Sequence, residues 1–122
     1  MAITRVVALN GGSKKTIVLI EEGTTASSGT VTPTGHAREN FYSITAQAAP
    51  LTIDPPSGTA VENNSLLIRL KGTGIFSITM DSIYRAGDIP FPASTSTSTL
   101  YMQFIYNDPD GAWDFIGLTE GF

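Results

Sequence analysis

The fold is decided by the stretch LYMQFIYNDPDGAWDFIGL, residues 100–118. Two runs rich in aromatic and β-branched residues, 100–106 and 113–118, flank the turn residues NDPDG at 107–111. Proline presets the dihedral angle that a turn needs, and an Asp-Gly pair favours the tight reversal of a β-hairpin. The stretch therefore predicts a hairpin that closes an all-β domain and leaves few of its side chains free for chemistry.

Further short β-patterned segments precede this hairpin. Residues 41–46, 51–53, 65–70 and 75–80 are strand candidates, separated by segments that contain Pro or Gly. In 65–70, side-chain alternation places Leu66, Ile68 and Leu70 on one face and Leu67 on the other. A sustained 3.6-residue period is absent, so little helix is expected. About eight short strands at spacings near ten residues predict an antiparallel β-sandwich of the jelly-roll type.

The N-terminal part predicts a hairpin followed by an arm. Residues 3–9 and 16–20 are rich in β-branched side chains and are separated by a segment that starts with Asn10-Gly11, a strong hairpin signal. Residues 23–35 have no period and, apart from Val31, no bulky apolar side chain. We therefore expect an N-terminal hairpin and extended arm at 1–35 and a β-sandwich domain at 36–122.

Charge and composition argue against several classes of protein. Only 15% of the 122 residues are charged, and the net charge is −4. The seven basic residues are scattered, with Lys14-Lys15 as the only adjacent pair, so the clustered cations of a nucleic-acid surface are missing. The 16 Thr and 11 Ser make the strands rich in hydroxyls, which suits a protein whose surface is largely occupied by other chains.

Three features that the sequence lacks lead to expectations about metal sites, membrane partners and cellular compartment. There is no cysteine, so neither a disulfide framework nor a thiolate metal site is expected. The apolar runs are far shorter than the roughly 20 residues that span a bilayer, so no membrane partner is expected. The first residues show no basic segment followed by an apolar core, so we expect no signal peptide and synthesis in the cytosol.

The carboxylates around the last turn allow two interpretations. Asp108, Asp110 and Asp114 could form a weak cation site. A calcium loop, however, needs regularly spaced oxygen donors and a distal glutamate, whereas Asp-Pro-Asp-Gly is typical of a turn. The turn interpretation is favoured, and no metal or other cofactor is expected.

His36 is the sole histidine and the only side chain that titrates near neutral pH. A hydrolase that uses His36 with a serine and an aspartate is one hypothesis, but no Gly-x-Ser-x-Gly motif surrounds any serine. A solvated or interface histidine is the alternative, which we favour. No catalytic residue is assigned, and the chain is not expected to be an enzyme.

The aromatic residues also allow two interpretations. Trp113, with Tyr101, Tyr106, Phe104 and Phe115, could form a platform that stacks on carbohydrate, but such residues on facing strands more often form core pairs. Tyr84-Arg85 could be an exposed anchor at an interface, or Tyr84 could be a buried tyrosine at a corner of the chain. The candidate interface residues are Tyr84, Arg85, Val31 and Phe41.

Three segments together carry a resemblance to a known family. They are ITAQAAPLTI (44–53) with PSGT (56–59), NSLLIRLKGTG (64–74) with DSIYR (81–85), and TLY (99–101) with IYN (105–107) and WD (113–114). This succession resembles a β-sandwich module of tailed-bacteriophage virion proteins, which occurs in head-decoration (cement) proteins and in head- or tail-fibre subunits. The resemblance covers about residues 41–118 and carries no binding residue over to this chain.

The resemblance implies a virion structural protein that is made in the host cytoplasm and assembled on the phage head. Modules of this kind are usually trimers that bind a shell or fibre through loops and arms. A short chain with an N-terminal arm suits a capsid decoration protein, so the expected partners are further copies of the chain, as a homotrimer, and the major capsid protein. The alternative is a head- or tail-fibre module, or a receptor-binding module that recognises carbohydrate.

Overall fold

The computed structural model describes residues 2–11, 15–24 and 29–122, with the backbone alone for residues 2–24. All regular structure in these residues is β-strand, which confirms the all-β prediction. The ten strands are β1 Ala2–Gly11, β2 Lys15–Thr24, β3 Gly29–Val31, β4 Glu39–Gln47, β5 Leu51–Ile53, β6 Ser65–Gly72, β7 Ile78–Met80, β8 Tyr84–Ala86, β9 Leu100–Asn107 and β10 Ala112–Glu120.

The strands form two sheets of different size. The large sheet has seven strands in the order β1-β2-β4-β6-β9-β10-β8, and the small sheet has three in the order β3-β5-β7. In the large sheet β2, β4 and β6 run parallel, and β9 pairs antiparallel with both β6 and β10. All pairs in the small sheet are parallel.

The chain alternates between the two sheets from β2 to β7. Each coil lays one strand on the large sheet and the next on the small sheet, so successive coils stack their strands in parallel. Leu19, Glu39 and Ser65 are neighbours across the large sheet in this way. The hairpin β9–β10 then pairs with the last coil and separates β6 from β8. The result is a mixed, β-solenoid-like arrangement.

The prediction of an antiparallel, jelly-roll-like β-sandwich is therefore wrong. Short strands with turns between them predict antiparallel neighbours, but between β4 and β5 the chain crosses to the other sheet. Turn residues and side-chain alternation look the same in an antiparallel sandwich and in a solenoid-like arrangement, because they depend on the strand itself and not on its partner.

The N-terminal strands continue the large sheet. β1 and β2 pair antiparallel from Ala2↔Thr24 to Gly11↔Lys15, as the Asn10-Gly11 signal predicts, while residues 12–14 and 25–28 lie outside the described residues. β2 pairs with β4, and β3 lies within the predicted arm and pairs with β5. The division into an arm at 1–35 and a domain at 36–122 stays a prediction, although both pairings cross that boundary.

The core lies between the two sheets. Alternate residues of the long strands point into it, so Leu66, Ile68 and Leu70 of β6 are all buried on one face. Phe104 of β9 is fully buried, and its ring lies 5.0 Å from that of Tyr84 and 5.1 Å from that of Phe115. Apolar burial of this kind is the main favourable contribution to folding.

One polar side chain is fully buried at the corner where β4 ends. The Gln47 amide nitrogen donates to the carbonyl oxygens of Ala49 and Ser77, each at 3.0 Å. Its amide oxygen accepts from the Thr95 hydroxyl at 2.7 Å. Gln47 therefore ties the β4–β5 corner to the hydroxyl-rich segment that precedes β9.

Candidate interface on the large sheet

Two of the four predicted interface residues are buried within the chain. The Tyr84 hydroxyl donates to the carbonyl oxygen of Asp54 at 2.7 Å, and burial raises the pKa of this phenol well above its usual value. Val31 is buried on β3. The structure thus favours the interpretation of Tyr84 as a buried tyrosine, and neither side chain is exposed for contact with a partner.

Phe41 lies on the outer face of the large sheet, the face turned away from the small sheet. In the strand register Phe41 is opposite Leu67, Leu67 is opposite Gln103, and Ile116 lies in a bulge of β10 beside Gln103. We call Phe41, Leu67, Gln103 and Ile116 the outer row. Phe41 and Leu67 are half-buried, and the Ile116 side chain is 56% exposed.

A cation beside the outer row, Arg69, is held against the sheet. Arg69 of β6 donates from Nε and Nη2 to the Ser43 hydroxyl at 3.1 and 2.9 Å, and its guanidinium carbon lies 5.1 Å from the centre of the Phe41 ring. Guanidinium groups are weakly hydrated and stack on aromatic rings. The charge is thereby fixed in place beside the outer row.

Arg85, the fourth candidate, is exposed and belongs to an ionic cluster at the last hairpin. Its Nε donates to Asp114 at 2.7 Å, and its Nη2 donates to Asp110 at 3.0 Å. The Asn107 side chain donates to the same two carboxylates. The hydrogen bond from Arg85 lowers the pKa of Asp114 and raises the pKa of the guanidinium. A cationic side chain thus occupies the place suggested for a weak cation site, and the described residues hold no group of three potential metal ligands.

Replacing Arg85 by alanine should make stability less dependent on pH. The folded-state pKa of Asp114 is lowered, so its contribution to stability is present near neutral pH and is lost as pH falls through that pKa. We expect Arg85→Ala to unfold at a lower urea concentration than the wild type at neutral pH, and at an equal one once Asp114 is protonated. Carboxyl NMR titration should show the pKa of Asp114 rising toward its usual range, with Arg38→Ala as the exposed control. An unchanged pKa in Arg85→Ala would contradict this assignment.

The structure separates the residues of the proposed carbohydrate platform. Trp113, Phe104 and Phe115 are buried, and Tyr106 is half-buried with its ring 5.2 Å from that of Trp113. Tyr101 is half-buried on the outer face. These five aromatic residues therefore do not form one exposed stacking surface. His36 is exposed, and its assignment as a non-catalytic residue stays a prediction.

Sequence reasoning identified only part of this surface. Alternation in β6 correctly placed Leu67 on the face opposite to that of Leu66 and Ile68. Ile116 was missed, because the bulge between Phe115 and Gly117 breaks the alternation that would have assigned its face.

Comparisons with known proteins find no match to this chain. No protein-family model matches the chain, and no curated protein or solved structure is similar enough to match it. The described residues contain no helix with the length and hydropathy needed to cross a bilayer.

Proposed function

We propose that this chain is a bacteriophage capsid decoration protein, which binds the outer surface of the head shell as a homotrimer and stabilises it. The proposal places the chain in the virion, with the major capsid protein as its partner. It is supported by the resemblance of residues 41–118 to virion modules and, above all, by one structural observation, the outer row.

The outer row has the character of a protein interface. Phe41, Leu67 and Ile116 lie on β4, β6 and β10, so the row spans three strand spacings, or about 14 Å. Interface centres are apolar and poor in charged residues, with arginine among the enriched types. Covering this strip with another protein would remove its apolar surface from water.

A closed trimer requires that the outer row of one subunit meet a different surface of the next, because only a twofold interface pairs a patch with itself. Other exposed apolar side chains are available in the connections between strands: Val61 before β6 and Ile89 between β8 and β9. In the proposed assembly these connections contact the neighbouring subunit and the shell.

Light scattering tests the subunit interface. The wild type should have three times the mass of the 12.9 kDa chain. Ile116→Asp should reduce this to the mass of one chain, because a carboxylate within the interface would be buried without a partner. The matched control is Ile75→Asp, at a side chain that is 79% exposed but lies outside the outer row, and it should remain a trimer. Circular dichroism checks that both variants are folded.

Co-sedimentation tests the shell contact. The trimer should sediment with head shells of the phage that encodes the chain, and it should raise the temperature at which those shells disassemble, because a ligand that binds only the assembled state stabilises that state. A wild-type monomer would overturn the role of the outer row. A trimer that does not bind shells would contradict the decoration role and favour the fibre alternative.

A further inference from the structure

A cleft of about 440 Å³ lies on the outer face beside the outer row, toward the end of β6. We call it the basic cleft. Its volume is within the range of small-molecule sites. The side chains relevant to binding are Arg69, Lys71, Thr99, Tyr101 and Phe122.

The basic cleft concentrates positive charge on an acidic protein. Two cations line it, and no lining residue carries a carboxylate side chain, although the chain has a net charge of −4. Lys71 is exposed and, among residues 29–122, has no hydrogen-bond or ion-pair partner. Arg69 uses Nε and Nη2 to hold Ser43, which fixes the guanidinium plane and leaves Nη1 available as a donor. A preorganised guanidinium beside a mobile ammonium favours a carboxylate ligand.

Two aromatic rings form another wall of the basic cleft. The centres of the Tyr101 and Phe122 rings are 5.7 Å apart, and the planes meet at 81°. Phe122 is 69% exposed, and Tyr101 is half-buried. An exposed aromatic face suits the C–H face of a pyranose ring, because both surfaces are flat and the aromatic ring carries partial negative charge on its face. The Thr99 hydroxyl adds a group that can both donate and accept.

We propose that the basic cleft binds an acidic saccharide, a sugar whose carboxylate contacts Arg69 and Lys71 and whose ring lies against Tyr101 and Phe122. A neutral sugar would leave Lys71 without a partner and would offer no anion to the free Nη1 group of Arg69. An acidic peptide would satisfy the cations but would present no flat sugar face to the aromatic rings. This binding activity is independent of the proposed decoration function.

Calorimetric titration of the whole chain with 3′-sialyllactose and with lactose tests the proposal. The two sugars share the lactose unit, and only the first carries a carboxylate-bearing sugar. We expect the first to bind at millimolar concentration or below and the second not to bind. Affinity should fall as salt is raised, because salt screens exposed charges.

Variants localise the binding. Lys71→Met removes the charge and keeps most of the aliphatic stem, and we expect about a tenfold loss of affinity, as is typical when a hydrogen bond to a charged group is lost. Tyr101→Ala should have a similar effect, whereas Tyr101→Phe should retain binding. Arg38→Met, a change at an exposed cation outside the cleft, is the matched control and should leave the affinity unchanged.

Several outcomes would overturn the proposal. They are equal binding of lactose, no binding of either sugar, unchanged affinity in Lys71→Met, and binding of a tetra-aspartate peptide in place of the acidic sugar. Light scattering on the same variants separates this test from that of the decoration function. A variant that loses sugar binding but keeps the solution mass of the wild type has a defect in the basic cleft and not in subunit assembly.

Discussion

Replacing Phe104 by alanine should lower the free energy of unfolding by about 4 kcal/mol, the range seen when a buried aromatic side chain is truncated. Phe104 is only 1% exposed and lies at the centre of the aromatic part of the core. Its ring is 5.0 Å from Tyr84, 5.1 Å from Phe115 and 6.3 Å from Phe91. Alanine would leave a cavity that these rings, each held by its own strand or loop, can fill only in part.

The matched control is Phe122→Ala, because Phe122 is the same residue type but is 69% exposed. This change should alter stability by no more than about 0.5 kcal/mol, as is usual for surface positions. Urea unfolding followed by tryptophan fluorescence measures both variants, since Trp113 is buried in the same core. Similar losses in the two variants would contradict the packing described for Phe104.

Replacing Gln47 by methionine should cost about 3 kcal/mol, although the two side chains have nearly the same shape. Gln47 is fully buried and makes three hydrogen bonds, to Ala49, Ser77 and Thr95. Methionine replaces none of them, so the buried Thr95 hydroxyl and the carbonyl oxygens of Ala49 and Ser77 each lose a partner. Removing one member of a buried hydrogen-bonded pair lowers stability more than replacing both members with apolar groups, because the remaining polar group is left without a partner.

Gln103→Met is the control, because Gln103 is an exposed glutamine on a neighbouring part of the same sheet. It should change stability by less than about 0.5 kcal/mol. Hydrogen exchange supplies a local readout: the Thr95 amide, which donates to the carbonyl oxygen of Phe76 at 2.9 Å, should lose protection in Gln47→Met and keep it in Gln103→Met. Unchanged protection in both variants would show that Gln47 does not anchor this segment.

The sequence was sufficient to predict the features that depend only on residues close together in the chain. The run at 100–118 does form an antiparallel hairpin, β9 with β10, and Gly111 in its turn has a φ of +63°, which glycine adopts without strain. Side-chain alternation correctly placed Leu66, Ile68 and Leu70 on one face of β6. These features depend on residues that are close in sequence.

The residues adjacent to Tyr84 and Arg85 in the sequence did not determine the surroundings of these two side chains. The pair stands on one short strand, with the Tyr84 side chain buried under Asp54 and the Arg85 side chain exposed beside Asp114. The partners are 30 and 29 residues away. The pairing of β8 with β10 brings Arg85 beside Asp114, whereas the Tyr84 hydroxyl reaches Asp54, the residue that follows β5. The sequence identified the two residues as notable but could not assign their surroundings.

By itself the sequence determined that the chain folds as β-strands, where the last hairpin turns, and which alternate side chains of β6 are apolar and buried together. Tertiary structure alone decided that β2, β4 and β6 stack in parallel, and it alone brought Phe41, Leu67 and Ile116 into one row and Arg69, Lys71, Tyr101 and Phe122 around one cleft. The physical reason is that a strand's own residues specify its two faces, whereas its neighbours are chosen by hydrogen bonds and core contacts between segments distant in the chain.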